Sequence, residues 1–175
     1  MDKIIVIVGP SGSGKTAIVE KIVKEFPDFF RKVITNTTRN PRPGEKDGVD
    51  YNFVKEFNPN DYVEYTQYAG NFYGTSKKEL EKENTQATPV LIMDINGVNS
   101  LKKVYPSIKV VSVFIDRNKE LLVDAINRRN IPDEDKKKRI EQLDSDYLAA
   151  EQTTYVLKND GTLEDAVKRI LKYMF

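Results

Sequence analysis

Two clusters of residues in this sequence have the types and spacing for phosphate chemistry. The first is GPSGSGKT, Gly9 to Thr16, in which glycines at 9, 12 and 14 free the backbone to curl so that successive N–H groups face inward. Inward N–H groups at the head of a helix bind phosphate oxygens. Lys15 then reaches the β and γ phosphates of a nucleoside triphosphate, and Thr16 offers a hydroxyl to Mg²⁺. The second cluster is TTRNPRPGEKDGVDY, Thr37 to Tyr51, where Arg39 and Arg42 stand on either side of Pro41. Proline fixes its own φ and biases Asn40 toward an extended conformation, so two guanidinium forks sit on a stiffened loop, an arrangement suited to a phosphate monoester. Tyr51 and Tyr73 add hydroxyl donors for the same oxygens.

The elements around these clusters are of the kind that would position them. Ile4 to Val8 is a continuous apolar run ahead of the glycines, as in a parallel strand covered on both faces. Ile18, Val19, Ile22, Val23 and Phe26 then recur at helical spacing up to Pro27. Strand, glycine loop and helix together make the phosphate-loop match specific. Val90–Met93, Val110–Ile115 and Tyr155–Leu157 read as further strands, and Lys32–Thr35 as a weaker one. Helical patterns follow at Leu101 and Val104, at Leu121, Leu122 and Ile126, at Ile140, Leu143 and Tyr147, and from Leu163 through Leu171. This alternation predicts an α/β fold of the phosphate-loop NTPase type, with about five parallel strands and helices on both faces.

An acid at the end of a second strand completes a nucleotide site, and VLIMD supplies Asp94 at the carboxyl edge of the sheet. Asp94 is a candidate metal ligand with Thr16, directly or through water; the plainer role for an aspartate there is a helix cap. Residues 36–75 interrupt the rhythm with Tyr, Asn, Pro and Gly, and short strand-like pieces at Tyr51–Val54 and Tyr62–Tyr68 mark an inserted subdomain. RRNIPDEDKKKR, Arg128 to Arg139, is a second irregular piece with Ile131 as its lone apolar residue.

Composition narrows the chemistry. Histidine and cysteine are absent, which excludes Ser-His and Cys-His relays, disulfides and imidazole- or thiolate-bound zinc. Lys plus Arg number 28 against 27 Asp plus Glu, so no general basic field draws nucleic acid or an anionic membrane surface. The amino-terminal apolar run is too short for a signal sequence or a membrane span, and a cytoplasmic location is expected. A phosphate clamp opposite a phosphate loop points to a nucleoside monophosphate kinase.

At these residues the sequence resembles the guanylate kinase family. TNTTRNPRPGEKDGVDYNFV is similar to that family's signature, the likeness takes in EYTQYAGNFYGT, Glu64 to Thr75, and weaker matches extend to KND at 158–160. The resemblance implies one domain over 1–175, with a core of 1–34, 76–127 and 140–175, a GMP-binding subdomain of 35–75 and a lid of 128–139. It implies ATP, bound by Gly9, Ser11, Gly12, Ser13, Gly14, Lys15, Thr16 and Asn159, with Asn159 on adenine. It implies GMP, bound by Thr35, Arg39, Arg42, Glu45, Tyr51, Glu64, Tyr73, Thr75 and Asp94, with Glu45 ordering the arginine loop. Arg129 and Arg139 match the lid's arginines, with Arg128 an alternative to the first, and join Lys15 and Arg39 as catalytic residues.

The chemistry of the base supports part of this independently. Guanine's N1–H and 2-amino group are donors for a carboxylate, Glu64, and its O6 is an acceptor for a hydroxyl, Thr75. AMP would leave Glu64 unpaired.

Three departures from the family pattern stand out. Ile92 occupies the place of an acid two residues before Asp94. The segment from Lys55 to Tyr62 is about six residues short, and the lid is short by about one. Two other readings share the fold: a scaffold domain that binds phosphorylated peptides, and a kinase for another phosphorylated acceptor such as a ribose bisphosphate. The intact phosphate loop opposes the first, and the Glu64 and Thr75 pair opposes the second.

Overall fold

In the computed structural model, which describes residues 1–68, 70–82 and 86–175, the central strand β1 (Lys3–Val8) shows why its sequence is apolar throughout. Ile5 and Ile7 join one buried cluster, while Ile4, Val6 and Val8 join another on the opposite face. Both faces of the strand are therefore covered. The chain continues through α1 (Lys15–Glu25), β2 (Phe30–Lys32), β3 (Asn36–Thr37), β4 (Asn52–Phe53), β5 (Tyr62–Tyr68), β6 (Asn71–Ser76), α2 (Lys77–Leu80) and β7 (Thr88–Ile92). It then runs through α3 (Ile95–Val104), β8 (Lys109–Asp116), α4 (Lys119–Asn127), α5 (Asp133–Glu141), α6 (Leu143–Tyr147), β9 (Tyr155–Lys158) and α7 (Leu163–Met174).

Five strands form a parallel sheet in the order β2-β7-β1-β8-β9, as the alternation of strands and helices predicts. On one face α1 and α7 contribute Ile18, Val19, Ile22, Val167 and Ile170. On the other, α3 contributes Val98 and Leu101, joined by Leu80 and by Val63 from β5. Burial of these side chains supplies the main drive for the architecture, at about 1.5–3 kcal/mol for each fully buried aliphatic residue.

The excursion after β2 is a second sheet, ordered β4-β3-β6-β5, in which β3 and β4 run parallel and the other pairs antiparallel. Its aromatic residues explain how it holds together despite the short 55–62 segment. Phe57 stacks on Tyr62 with centroids 4.3 Å apart and on Phe72 at 4.4 Å. Only a single 3₁₀ turn, Pro59–Asp61, capped by Asn58, lies between β4 and β5.

Several elements differ from the sequence reading. The first edge strand is Phe30–Lys32 rather than Lys32–Thr35, although Val33 still donates to the carbonyl of Val90. β3, β6 and α2 were not expected from the sequence pattern, because two- to six-residue elements carry little periodicity. The Arg128–Arg139 segment is not irregular throughout: α5 occupies Asp133–Glu141 with no buried residue. Charge order forms it, with Asp133, Glu134 and Asp135 in the first turn, Lys138 and Arg139 in the last, and Lys138 paired to Glu134 at 2.9 Å. Ala69, inside the EYTQYAGNFYGT match, lies outside the described residues.

Candidate active site

The phosphate loop leaves β1 at its carboxyl end and enters α1 through Gly14, whose φ of 95° places the helix cap in the left-handed region. No side chain caps α1, so its first-turn N–H groups have no side-chain partner at the cap and remain open to an anion. A Cβ at 14 would also lie 2.8 Å from Asn159 Nδ2 and would displace that amide.

Lys15 folds back on the loop, its Nζ donating to the carbonyls of Gly9 at 2.7 Å and Pro10 at 2.8 Å. Burial lowers its ammonium to about 8, partly offset by Asp146 and reinforced by Arg129 and Arg139. Arg139 donates to Ser11 Oγ at 3.1 Å. Desolvation, followed by the charge of Arg139, lowers the pKa of Arg129 from its usual value. Two arginines from the segment after α4 therefore act electrostatically on the lysine of a loop more than a hundred residues away in sequence. Ser13 is fully buried, and its hydroxyl has no partner among the described residues.

Arg39 and Glu45 form a two-pronged pair, Nη1 to Oε2 and Nη2 to Oε1, both at 2.7 Å. The same Oε2 accepts from the backbone N–H of Arg42 at 2.8 Å. The Arg39 hydrogen bonds, then the Arg42 amide, hold the Glu45 carboxyl down to about 2, and the hydrogen bond to Glu45 in turn pushes Arg39 above its usual value. Arg39 also lies over the Tyr51 ring at 5.0 Å, and Tyr51 meets Tyr73 edge to face at 6.1 Å. Arg42 itself is exposed.

A cavity of about 520 Å³ is lined by Thr35, Glu64, Tyr73, Ile92 and Asp94, among others. A neighbouring one of about 300 Å³ is lined by Thr16, Glu20, Glu45, Tyr51 and again Thr35 and Ile92. The shared wall residues Thr35 and Ile92 set the two cavities side by side, one reaching the first turn of α1 and the other Glu64. Thr75 stands behind Glu64, donating its backbone N–H at 3.1 Å and its hydroxyl at 2.8 Å to Glu64 Oε1. Burial raises the Glu64 pKa, the two Thr75 bonds lower it, and Asp94 raises it. Both base-facing candidates are thus bound to each other.

Asp94 caps α3, its Oδ1 accepting from Gly97 N–H at 2.8 Å, so the plainer role weighed for it is present alongside its place on the cavity wall. Asn159 donates through Nδ2 to the Ser13 carbonyl at 2.8 Å. Two further residues stand here without a sequence motif. Arg117, the first residue after β8, donates to the Gly12 carbonyl at 3.0 Å. Asp146, on α6, acts on Lys15, with its own pKa raised by burial and by Asp94. A charged residue just beyond an apolar strand was a usable signal for Arg117, as it was for Asp94. Asp146 sits in a polar helix and offered none.

With this geometry in place, comparison with known proteins decides the lineage. The sequence model of the family described as guanylate kinase matches residues 1–175.

The chain belongs to the guanylate kinase family.

It is 36% identical over 170 residues to the guanylate kinase of Chlamydia trachomatis serovar D, covering 92% of this chain and 82% of that one. It is 32% identical over 178 residues to the guanylate kinase of Synechocystis, covering 97% and 92%. The crystal structure of guanylate kinase from Anaplasma phagocytophilum superposes with a TM-score of 0.67 at 25% identity, covering 97% of this chain and 82% of that chain. Family membership and the five-stranded parallel sheet agree on the phosphate-loop fold.

The Glu45 contacts generate an expectation that needs no substrate. Glu45→Gln removes the charge that pairs with Arg39 and weakens the brace on the 39–51 loop. Tryptic cleavage after Lys46 is expected to accelerate several-fold, by about five, in line with about 1 kcal/mol of lost local order. Unchanged cleavage would show that the aromatic contacts alone hold the loop.

Proposed function

We propose that the protein transfers the γ-phosphoryl group of ATP to GMP, and to dGMP, giving ADP and the nucleoside diphosphate. The observation that carries this reading is the pair of neighbouring cavities, one lined by Thr16 beside the phosphate loop and the other by Glu64 on the second sheet, with Thr35 and Ile92 in the walls of both. The intact loop and the family's name across the curated relatives support a catalytic kinase over a phosphopeptide scaffold.

In this reading 35–75 is the acceptor-binding subdomain and 128–139 the lid. The amides of Gly12 to Thr16 and the Lys15 ammonium hold the triphosphate, with Ser11 and Gly9 shaping the loop and Asn159 beside adenine. Arg39, Arg42, Tyr51 and Tyr73 hold the acceptor phosphate, and Glu45 keeps Arg39 oriented. An oxygen of that phosphate attacks the γ-phosphorus, the bond from it to the β–γ bridging oxygen breaks, and ADP leaves with the electron pair. Arg129 and Arg139 offset the charge spread over the transferring group, so positioning and cationic charge accomplish the step without a histidine.

Glu64 accepts from guanine N1–H and the 2-amino group. Thr75 serves O6 by turning its hydroxyl away from Glu64, and Thr35 lies near the base. Deoxyribose leaves these contacts intact, which supports dGMP as a second acceptor.

The residues fit a magnesium ion that arrives with the nucleotide rather than one held by the protein alone. Thr16 offers a hydroxyl and Asp94 a carboxylate with one oxygen committed to its cap, while among the described residues no group of three or more acidic side chains is placed to hold a metal ion. When bound, Mg²⁺ would neutralise charge on the nucleotide phosphates. No helix among the described residues is long and apolar enough to cross a membrane, and we place the enzyme in the cytoplasm with its nucleotide substrates.

A coupled ADP-release assay over AMP, GMP, dGMP, CMP and UMP should show turnover with GMP and dGMP. Glu64→Ala is expected to lower kcat/KM for GMP by roughly 10²-fold, the value of two lost hydrogen bonds to a charged acceptor. No GMP-dependent turnover in the presence of Mg²⁺ would sink the reading, and an unimpaired Glu64→Ala would remove the base-reading role.

Lys15 must be charged to meet the phosphates, and burial places its pKa at about 8 in the free protein. The protonated form is lost as the pH rises through that value, so kcat/KM for ATP should fall there, while kcat, measured with phosphates already on the ammonium, should hold to higher pH. A flat kcat/KM profile between about pH 7 and about pH 9 would contradict this.

Ile92 lies in the wall common to both cavities and brings no oxygen. Ile92→Asp should raise kcat/KM for GMP and lower the Mg²⁺ concentration needed for half-maximal rate. Unchanged values would show that Asp94 suffices.

A further inference from the structure

A phosphate loop that turns its N–H groups inward turns carbonyls outward, and each outward carbonyl needs a donor. Here Lys15 serves Gly9 and Pro10, Arg117 Nη1 serves Gly12 at 3.0 Å, Asn159 Nδ2 serves Ser13 at 2.8 Å, and the Ile18 N–H serves Gly14 at 3.0 Å. Arg117 and Asn159 are the two side chains in this set that come from outside the loop and its helix.

Their placement is built into the sheet. Arg117 directly follows β8, which pairs with β1, and Asn159 directly follows β9, which pairs with β8. The Asn159 N–H donates to the Asp116 carbonyl at 2.6 Å, and the Asn118 N–H donates to Asp160 Oδ1 at 3.1 Å, so the two strand ends are stitched together. The Tyr147 hydroxyl donates to the carbonyl of Arg117, anchoring its backbone from α6. Arg117 lies outside every motif that carries the family resemblance.

We propose that Arg117 is a positioning residue for ATP: its guanidinium holds the Gly12 carbonyl and thereby fixes the peptide plane that carries the Ser13 N–H. Gly12 has φ +88°, and the peptide that follows it is held at both edges, its carbonyl by Arg117 and its Ser13 N–H by the Pro10 carbonyl at 3.2 Å, so loss of the arginine leaves one tether in place of two. When nucleotide enters, Lys15 leaves the Gly9 and Pro10 carbonyls for the phosphates, and the outer donors remain to keep the loop in its binding shape. A charged donor is the stronger choice for this task. It is retained even though Arg117 Nε is buried with no partner among the described residues, a cost that packing alone does not explain. The proposal rests on the reading of the loop as the ATP site.

The test measures ATP affinity by calorimetry without acceptor, together with KM for GMP, for the wild type and for Arg117→Met, Arg117→Gln and Arg117→Lys. Arg117→Met should weaken ATP about tenfold or more and Arg117→Lys should recover most of the loss, with KM for GMP unchanged. Wild-type affinity in Arg117→Met overturns the proposal, as does an equal loss for ATP and GMP that lysine does not rescue. Should Arg117→Met fail to fold, equal ATP affinities in the Gln and Lys variants overturn it. A wild type that binds ATP but shows no GMP turnover removes the acceptor reading while leaving this one standing, and a wild type that binds no ATP removes both.

Discussion

The constraint on which the site depends is the orientation of seven or so peptide planes between β1 and α1. Turning amides toward an anion is possible only if the opposite edges of those planes are satisfied, and the sheet supplies the donors. The strand order places the ends of β8 and β9 next to the loop, so side chains that follow those strands reach its carbonyls. The parallel sheet is therefore part of the binding apparatus as well as its support.

The acceptor side follows the same economy. A buried or half-buried charge is kept in place by a partner that leaves some of its hydrogen-bonding capacity unused. Glu45 grips Arg39 at both terminal nitrogens while aromatic rings flank the guanidinium. Thr75 holds one oxygen of Glu64. Each charge is held in one orientation within the chain itself, which in the proposed reaction would lower the cost of reorganisation. The small sheet that carries these groups is packed by the aromatic stack of Phe57, Tyr62 and Phe72.

Much of this was legible in the sequence because it is written in strong local patterns. An unbroken apolar run for β1, helical spacing for α1 and α7, and three glycines before Lys15 leave few alternatives. The aromatic and arginine motifs placed Arg39, Glu45, Tyr51 and Tyr73 together, and the structure does bring them together. Less legible were features that depend on partners far away in the chain. β3 and β6 are strands because they pair with each other, with Asn36 opposite Gly74 and Thr37 opposite Tyr73. Arg117 matters through Gly12, and Asp146 through Lys15, contacts that no spacing encodes. Of α5, only the end near Ile140 belongs to a helical pattern in the sequence, because the rest of that helix is charged and has no apolar face.

That same absence has a consequence for α5. A helix with no fully buried residue is held by its own charges, by the packing of Ile140 on Leu122, Ile126 and Leu143, and by a few reaches outward, among them Arg139 to Ser11. Such attractions weaken as dissolved ions gather around them, over a screening distance of about 8 Å at physiological ionic strength. The sheet beneath, held by apolar burial, does not respond in this way. The charged face of α5 is therefore more sensitive to the electrolyte of its surroundings than the buried sheet, and salt acts unequally on two parts of one chain.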